Sequence, residues 1–264
     1  MNTNKHIIRL STVDMEFMQT GIEHDSTILF VHGYGATLEV FEKQHEYFSN
    51  EFRVISVNLR GHGKTTIHNN DECEFKFSKM SEDIIELLDS LQIRRVHFVG
   101  FSMGGNIGYE LLKLNPERLI SFAFYGAPGM LKTSLLSVAI MKFFFRFMSP
   151  AIIAWQTKNY GQTESSKILI TEIMSKISKT TLVKVIPQLS NYDYLDVIRN
   201  STVPAFTIIG EKDKENRLLG STIREFELRG NFYIHEIKGA GHFANLDNPK
   251  NFNKTLHDFI NNYN

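Results

Sequence analysis

Apolar positions along the chain follow two rhythms. Short runs rich in β-branched and aromatic residues fill positions 27–31, 53–59, 95–101, 120–125, 205–209 and 232–237, the pattern of strands buried on both faces. Between them apolar residues recur at helical spacing, at Ile84, Leu87, Leu88 and Leu91 and again at Ile107, Leu111, Leu112 and Leu114, as on helices with one face toward a core. Such alternation requires right-handed crossovers and predicts an α/β fold, a mainly parallel twisted sheet flanked by helices. Ahead of the first run, residues 6–21 alternate apolar and polar around Thr12, Val13 and Asp14, which predicts an opening hairpin.

The rhythm stops between residues 129 and 201, where the pattern turns helical and no buried strand is predicted. We read an inserted helical cap at 129–201, set into a core domain formed by residues 1–128 and 202–264. Its most apolar part, residues 135–155, contains Phe143, Phe144, Phe145, Phe147 and Trp155 but is interrupted by Lys142, Arg146 and Pro150. A spanning helix needs about 20 mostly apolar residues, so stable membrane insertion is not expected. Large exposed apolar patches are uncommon on soluble monomers. Phe143, Phe144, Phe147 and Trp155 are therefore expected to line a substrate pocket beneath the cap.

Composition narrows the possibilities. Of 264 residues, 42% are hydrophobic and 22% charged, which is ordinary globular usage. With a net charge of +0 and no long basic run, nucleic acid is not an expected partner. The single cysteine, Cys73, sits among Asp71, Glu72 and Glu74, a setting that raises a thiol pKa, and is expected to be uninvolved. Residues 1–11 carry no apolar run of the signal-peptide kind, so a cytoplasmic location is expected.

The candidate chemistry lies in the loops that follow the predicted strands. Gly100-Phe101-Ser102-Met103-Gly104 directly follows one apolar run and precedes a helical pattern, the strand, sharp turn and helix context of a G-x-S-x-G elbow. A serine hydroxyl needs a base to take its proton. Of the ten histidines, His242 is the best placed, after the last predicted strand in the small-residue loop Gly239-Ala240-Gly241. A carboxylate after the preceding strand would orient the imidazole. Asp213 is chosen for this, with Glu211 as its rival. The loop His32-Gly33-Tyr34-Gly35 ends the first buried run and offers the Tyr34 amide as one oxyanion donor, with the Met103 amide as the other. Any one of these stretches alone would pass as a plain glycine-rich turn.

Taken together, His32-Gly33-Tyr34-Gly35, Arg60-Gly61-His62-Gly63, Gly100 to Gly105, Asp213 and Gly241-His242 resemble the α/β-hydrolase superfamily, in the group with a helical cap between strands six and seven. The resemblance covers nearly the whole chain and keeps the superfamily's order of serine, acid and histidine. It departs at Asn58, where many relatives carry an aspartate, which puts an ion pair at the Arg60 loop in question. Serine at position 102 disfavours the haloalkane dehalogenases and epoxide hydrolases of this fold, which use aspartate. Asn106, where a menaquinone-pathway lyase usually carries arginine, disfavours that activity.

The expected function is a carboxylesterase acting on small esters with apolar acyl groups through an acyl-enzyme, with no cofactor and no metal. His32 and His62 lack a ligand spacing. Lactonases, perhydrolases and carbon–carbon bond hydrolases reuse this triad, as does a slow-turnover small-molecule receptor, and fold alone does not separate them.

Overall fold

The computed structural model describes residues 4–68 and 72–264. The opening hairpin comprises β1 (Asn4–Arg9) and β2 (Val13–Thr20), paired antiparallel. Its turn lies at residues 10–12, closed by the Leu10 N–H donating to the Val13 carbonyl at 2.8 Å. Val13 and Asp14, expected in the turn, instead begin β2, because Val13 and Met15 are fully buried. The remaining strands are β3 (Thr27–Val31), β4 (Arg53–Val57), β5 (Thr66–Ile67), β6 (Val96–Phe101), β7 (Leu119–Tyr125), β8 (Met130–Lys132), β9 (Asn191–Asp193), β10 (Ala205–Gly210) and β11 (Phe232–Ile237). The main sheet runs β1-β2-β4-β3-β6-β7-β10-β11, with β5 added to β2. From β4 across to β11 every junction is parallel.

Strands β3, β6 and β7 lie in the middle of this order and are buried almost throughout, as their uninterrupted apolar runs require. β11 departs from that expectation. It is the edge strand, with Tyr233 and Ile234 exposed. The helix Phe77–Ser90 buries Phe77, Met80, Ile84, Leu87 and Leu88, one stripe at helical spacing. The helix Met103–Leu114 packs Ile107, Leu111 and Leu112 inward, while Leu114 is exposed.

The chain leaves this pattern after β7. A short helix, Leu195–Asn200, leads into β10, and ahead of it four longer ones are inserted, Leu135–Phe147, Pro150–Thr157, Glu164–Lys176 and Lys179–Val185. Ser134, Ser149, Thr163 and Ser178 cap them in turn, each accepting from a backbone N–H three residues on, which satisfies an otherwise orphaned donor. Ser149 and Pro150 also break the first apolar stretch, and the helices on either side are bent by 118°. At the base of the insertion β8 and β9 pair antiparallel. Neither strand was expected, since three residues are too few to show a period.

The Arg60 loop is paired after all. Its guanidinium is 1% exposed and meets Asp83 through Nε at 2.5 Å and Nη2 at 2.7 Å, while Glu74 and Thr12 take its other donors. Burial opposes the Arg60 charge, but Asp83 and Glu74 outweigh it and hold its pKa above the ordinary arginine value. Asn58 serves a different partner. Its Nδ2 donates to buried Glu16 at 2.7 Å and its Oδ1 accepts from the Leu38 N–H at 2.8 Å. An aspartate there would set a second carboxylate against Glu16. The side chain of Cys73 and residue Asp71 lie outside the described residues.

Candidate active site

Ser102 stands between β6 and the helix Met103–Leu114 with φ 50° and ψ −117°, a conformation that L residues adopt only when their surroundings hold it. Two features hold it here. The Ser102 N–H donates to the Tyr125 carbonyl at 2.8 Å, and its own carbonyl accepts from the Gly105 N–H at 2.8 Å. The turn is also too tight for side chains on its far side, since a Cβ on Gly104 would lie 2.1 Å from the Val31 carbonyl oxygen. Met103 is the first residue of its helix, so its N–H has no intrahelical acceptor.

His242 lies in the loop after β11. Its Nδ1–H donates to Asp213 Oδ2 at 2.8 Å, which leaves Nε2 as the acceptor nitrogen. The other Asp213 oxygen accepts from the Glu215 N–H at 2.9 Å, so the carboxylate is fixed at both ends. Glu211, the rival, is exposed and accepts from the Gly239 N–H at 2.7 Å, bracing the turn ahead of His242. The imidazole packs beside Phe101 and Tyr160, with ring centroids 5.0 and 5.4 Å away. Gly126, at φ 61°, makes room for it, because a Cβ there would come within 2.5 Å of His242 Cε1.

Two buried histidines lock the loop that carries Tyr34, the first expected oxyanion donor, to the neighbouring Arg60 loop. His32 donates from Nδ1 to the Gly33 carbonyl at 2.8 Å and accepts at Nε2 from the Leu59 N–H at 3.0 Å. His62 donates from Nδ1 to the Arg60 carbonyl at 3.0 Å and accepts at Nε2 from the Gly35 N–H at 3.3 Å. Their rings are 4.9 Å apart. Burial pushes the His62 pKa down to about 4, and burial together with the neighbouring His62 holds His32 well below its ordinary value. Both are neutral struts with both ring nitrogens engaged. The bonds of the 33–36 turn use the Gly35 and Ala36 amides and leave the Tyr34 N–H out. The Tyr34 hydroxyl donates to the Leu182 carbonyl at 2.9 Å, tying this loop to the cap.

Ser102 and His242 open into one chamber of about 380 Å³ under the inserted helices. Its walls are mostly apolar, with Phe101, Leu131, Met141, Phe145, Met174 and Leu218 among them. Of the aromatic cap segment only Phe145 reaches it. Phe143, Phe144, Phe147 and Trp155, expected as lining residues, are 61%, 58%, 68% and 63% exposed and face away. The reason is geometric, since successive helical residues point about 100° apart and a run of phenylalanines cannot all face one chamber.

Asp247 escaped the sequence reading. Its Oδ2 accepts from the Gly241 N–H at 2.8 Å, and its Oδ1 accepts from the Gln162 N–H at 2.7 Å, the Thr163 N–H at 3.2 Å and Ser166 Oγ at 2.6 Å. One carboxylate thus ties the His242 loop to the start of the third inserted helix. An isolated aspartate ahead of Asn248-Pro249 carries no signal of such a long-range role.

Residues 26–167 match the family model described as alpha/beta hydrolase fold. The chain is 21% identical to 3-oxoadipate enol-lactonase 2 of Acinetobacter baylyi, with 98% of each chain covered. It is 30% identical to the dihydrolipoyllysine-residue acetyltransferase component of an acetoin cleaving system from Pseudomonas putida, over 44% of this chain and only 30% of that protein. Among solved structures, a hydrolase from Pseudomonas aeruginosa superposes with a TM-score of 0.86 at 18% identity, covering 97% of this chain and 98% of the other. With its parallel sheet, its serine elbow and a family match over more than half its length, the chain belongs to the alpha/beta hydrolase fold family.

Proposed function

We propose that the protein is a serine carboxylesterase for small neutral esters with apolar acyl groups, with Ser102 as nucleophile, His242 as base and Asp213 as its orienting acid. The observation that carries this reading is the Asp213–His242 bond of 2.8 Å beside a strained serine elbow, with both Ser102 and His242 opening into one apolar chamber. His242 Nε2 accepts the Ser102 proton as Oγ attacks the ester carbonyl. The Tyr34 and Met103 amides stabilise the oxyanion. The imidazolium then protonates the departing alkoxide, and water activated by the same nitrogen releases the acid.

At about 380 Å³ the chamber is near the lower end of the usual range of roughly 300–1,000 Å³ for ligand pockets, which suits small substrates. A lactonase is the second reading, favoured by the full-length likeness to an enol-lactonase. Among the described lining residues, however, the charged side chains include Glu215 and no lysine or arginine. A substrate bearing a free carboxylate would meet repulsion there, so neutral esters and neutral lactones fit better.

The test is a fluorophosphonate label followed by a panel of p-nitrophenyl esters and lactones, each with and without a carboxylate. Ser102 should carry the label, and Ser102→Ala should lose both label and turnover. Label on another serine would overturn the assignment, and faster turnover of carboxylate-bearing lactones than of any neutral ester would favour the lactonase.

A further inference from the structure

The first inserted helix, Leu135–Phe147, has two unlike faces. Val138, Met141 and Phe145 lie on one side, with Val138 buried and the other two lining the chamber. The opposite side presents Leu136, Ile140, Phe143, Phe144 and Phe147, between 47% and 70% exposed. After the bend the next helix adds Ile152 and Trp155 at 48% and 63%. Such an outward apolar surface is uncommon on a soluble monomer and marks a contact site.

The charge along this stretch of chain narrows what the contact is, although Glu164, just beyond it, lies near Lys158. Residues 133–163 contain Lys142, Arg146 and Lys158 and no aspartate or glutamate, although the chain as a whole balances 29 basic against 29 acidic residues. On the helical wheel Arg146 falls about 60° beyond Phe143, at the flank of the apolar stripe, and Lys142 about 40° further round, beside Val138, so that only its long stem brings the ammonium toward the stripe. Long cationic side chains there can lay their stems along apolar surface and reach anionic head groups, while Trp and Phe suit the boundary between acyl chains and head groups. A second copy of this chain fits less well. A two-fold contact through this patch would bring the same cations together from both sides.

We propose that the outer face of the helices Leu135–Phe147 and Pro150–Thr157 docks on the surface of an anionic phospholipid bilayer, without crossing it. No single helix among the described residues is long and apolar enough to span a membrane, and the two helices are bent by 118°. They would lie in the interface as a bent pair whose inner faces roof the chamber. The proposal does not depend on the esterase reading.

Trp155 is the only tryptophan in the chain and sits on the proposed contact face, so its fluorescence reports docking directly. The full chain is mixed with vesicles of equimolar phosphatidylcholine and phosphatidylglycerol, followed by sedimentation and Trp155 emission. Wild type should sediment with the vesicles, with emission shifted to shorter wavelength. The exposed pair Phe143→Ser with Phe147→Ser should lower apparent affinity by about tenfold or more, with an unchanged thermal midpoint. The pair Lys142→Glu with Arg146→Glu should lose binding on phosphatidylglycerol vesicles. Ser102→Ala should bind as wild type does, which keeps this test apart from the esterase assignment. Wild type left in the supernatant with unmoved emission would overturn the proposal. A concentration-dependent dimer that the phenylalanine pair dissociates, with no vesicle binding, would overturn it too and assign the face to a second copy.

Discussion

The core loops that support the chamber, here its floor, bury Arg60, His32, His62, Glu16 and Asn58 behind the lining residues, each held by named partners, whereas the roof leaves Phe143, Phe144, Phe147 and Trp155 in solvent. The difference concerns what determines geometry. A buried polar group that loses its partner keeps a full desolvation penalty, so the floor has one arrangement and its loops are held in place. The roof is positioned by its inward apolar side chains, by Asp247 and by the Tyr34–Leu182 bond, so its outer residues are free to serve another contact.

The largest effect is expected at the proposed acid, on the core side of the chamber. Asp213→Asn should keep the fold but lower kcat by about four orders of magnitude, because the amide favours the wrong imidazole tautomer and leaves the imidazolium without a counter-charge. Glu211→Gln should leave kcat within a few-fold, since Glu211 braces a turn and does not touch His242. Steady-state kinetics on the two variants decide between them. An inactive Glu211→Gln beside an active Asp213→Asn would reassign the acid.

Acid acts next, and through buried histidines of the core rather than through the roof. Burial holds the His62 pKa at about 4 and that of His45 at about 3, and His32 is lowered as well. The unfolded chain titrates near the ordinary value of 6.5. Above that pH neither state binds the proton and nothing is lost. As pH falls from about 6.5 toward 4 the unfolded state binds protons that the native state refuses, and stability declines, on the order of 3 kcal/mol for His62 alone. Residues 129–201 contain no histidine. Thermal midpoints should therefore fall steadily over this window, with amide exchange rising first in the core loops. Midpoints unchanged across it would mean that the buried histidines accept protons without loss.

A smaller break tests why Asn58 replaces an aspartate. Asn58→Asp removes the donor to Glu16 and opposes two carboxylates, at a cost of about 2 kcal/mol. Adding Glu16→Gln restores one donor and one acceptor across the pair and should recover most of that loss. Denaturant titrations of the single and double variants close the cycle. Additive losses would show that the two side chains do not interact.

These floor residues also show what a sequence can disclose. Strand positions were legible because buried parallel strands leave unbroken apolar runs, and the Ser102 elbow because glycines flank a serine where a strand meets a helix. His242 and Asp213 followed from their loops alone. Other features depend on distance in space. Asp247 acts on residues 81 to 85 positions away, and the pairing of β8 with β9 joins three-residue strands from opposite ends of the insertion. The cap aromatics were misplaced for a different reason, because a helix apolar on nearly every side has no face that periodicity can single out.

The smallest effect is expected in the roof, and it tests which side of the first inserted helix meets substrate. Phe145 lines the chamber and its ring lies 6.3 Å from that of Tyr34, whereas neighbouring Phe144 points into solvent. Each acyl methylene sealed in an apolar chamber contributes roughly 0.8 kcal/mol, so kcat/KM should rise severalfold per carbon until the chamber fills, then fall. Phe145→Ala enlarges the chamber and should move that optimum to longer acyl chains by a few carbons, leaving fluorophosphonate labelling of Ser102 intact. Phe144→Ala should leave the optimum where it is. The pair forms a control within one turn of one helix, because both changes remove the same atoms and helix propensity rises equally. An optimum shifted by both variants would mean that the helix moves as a unit, whereas one shifted by Phe144→Ala alone would mean that it rolls to present its outer face when substrate binds.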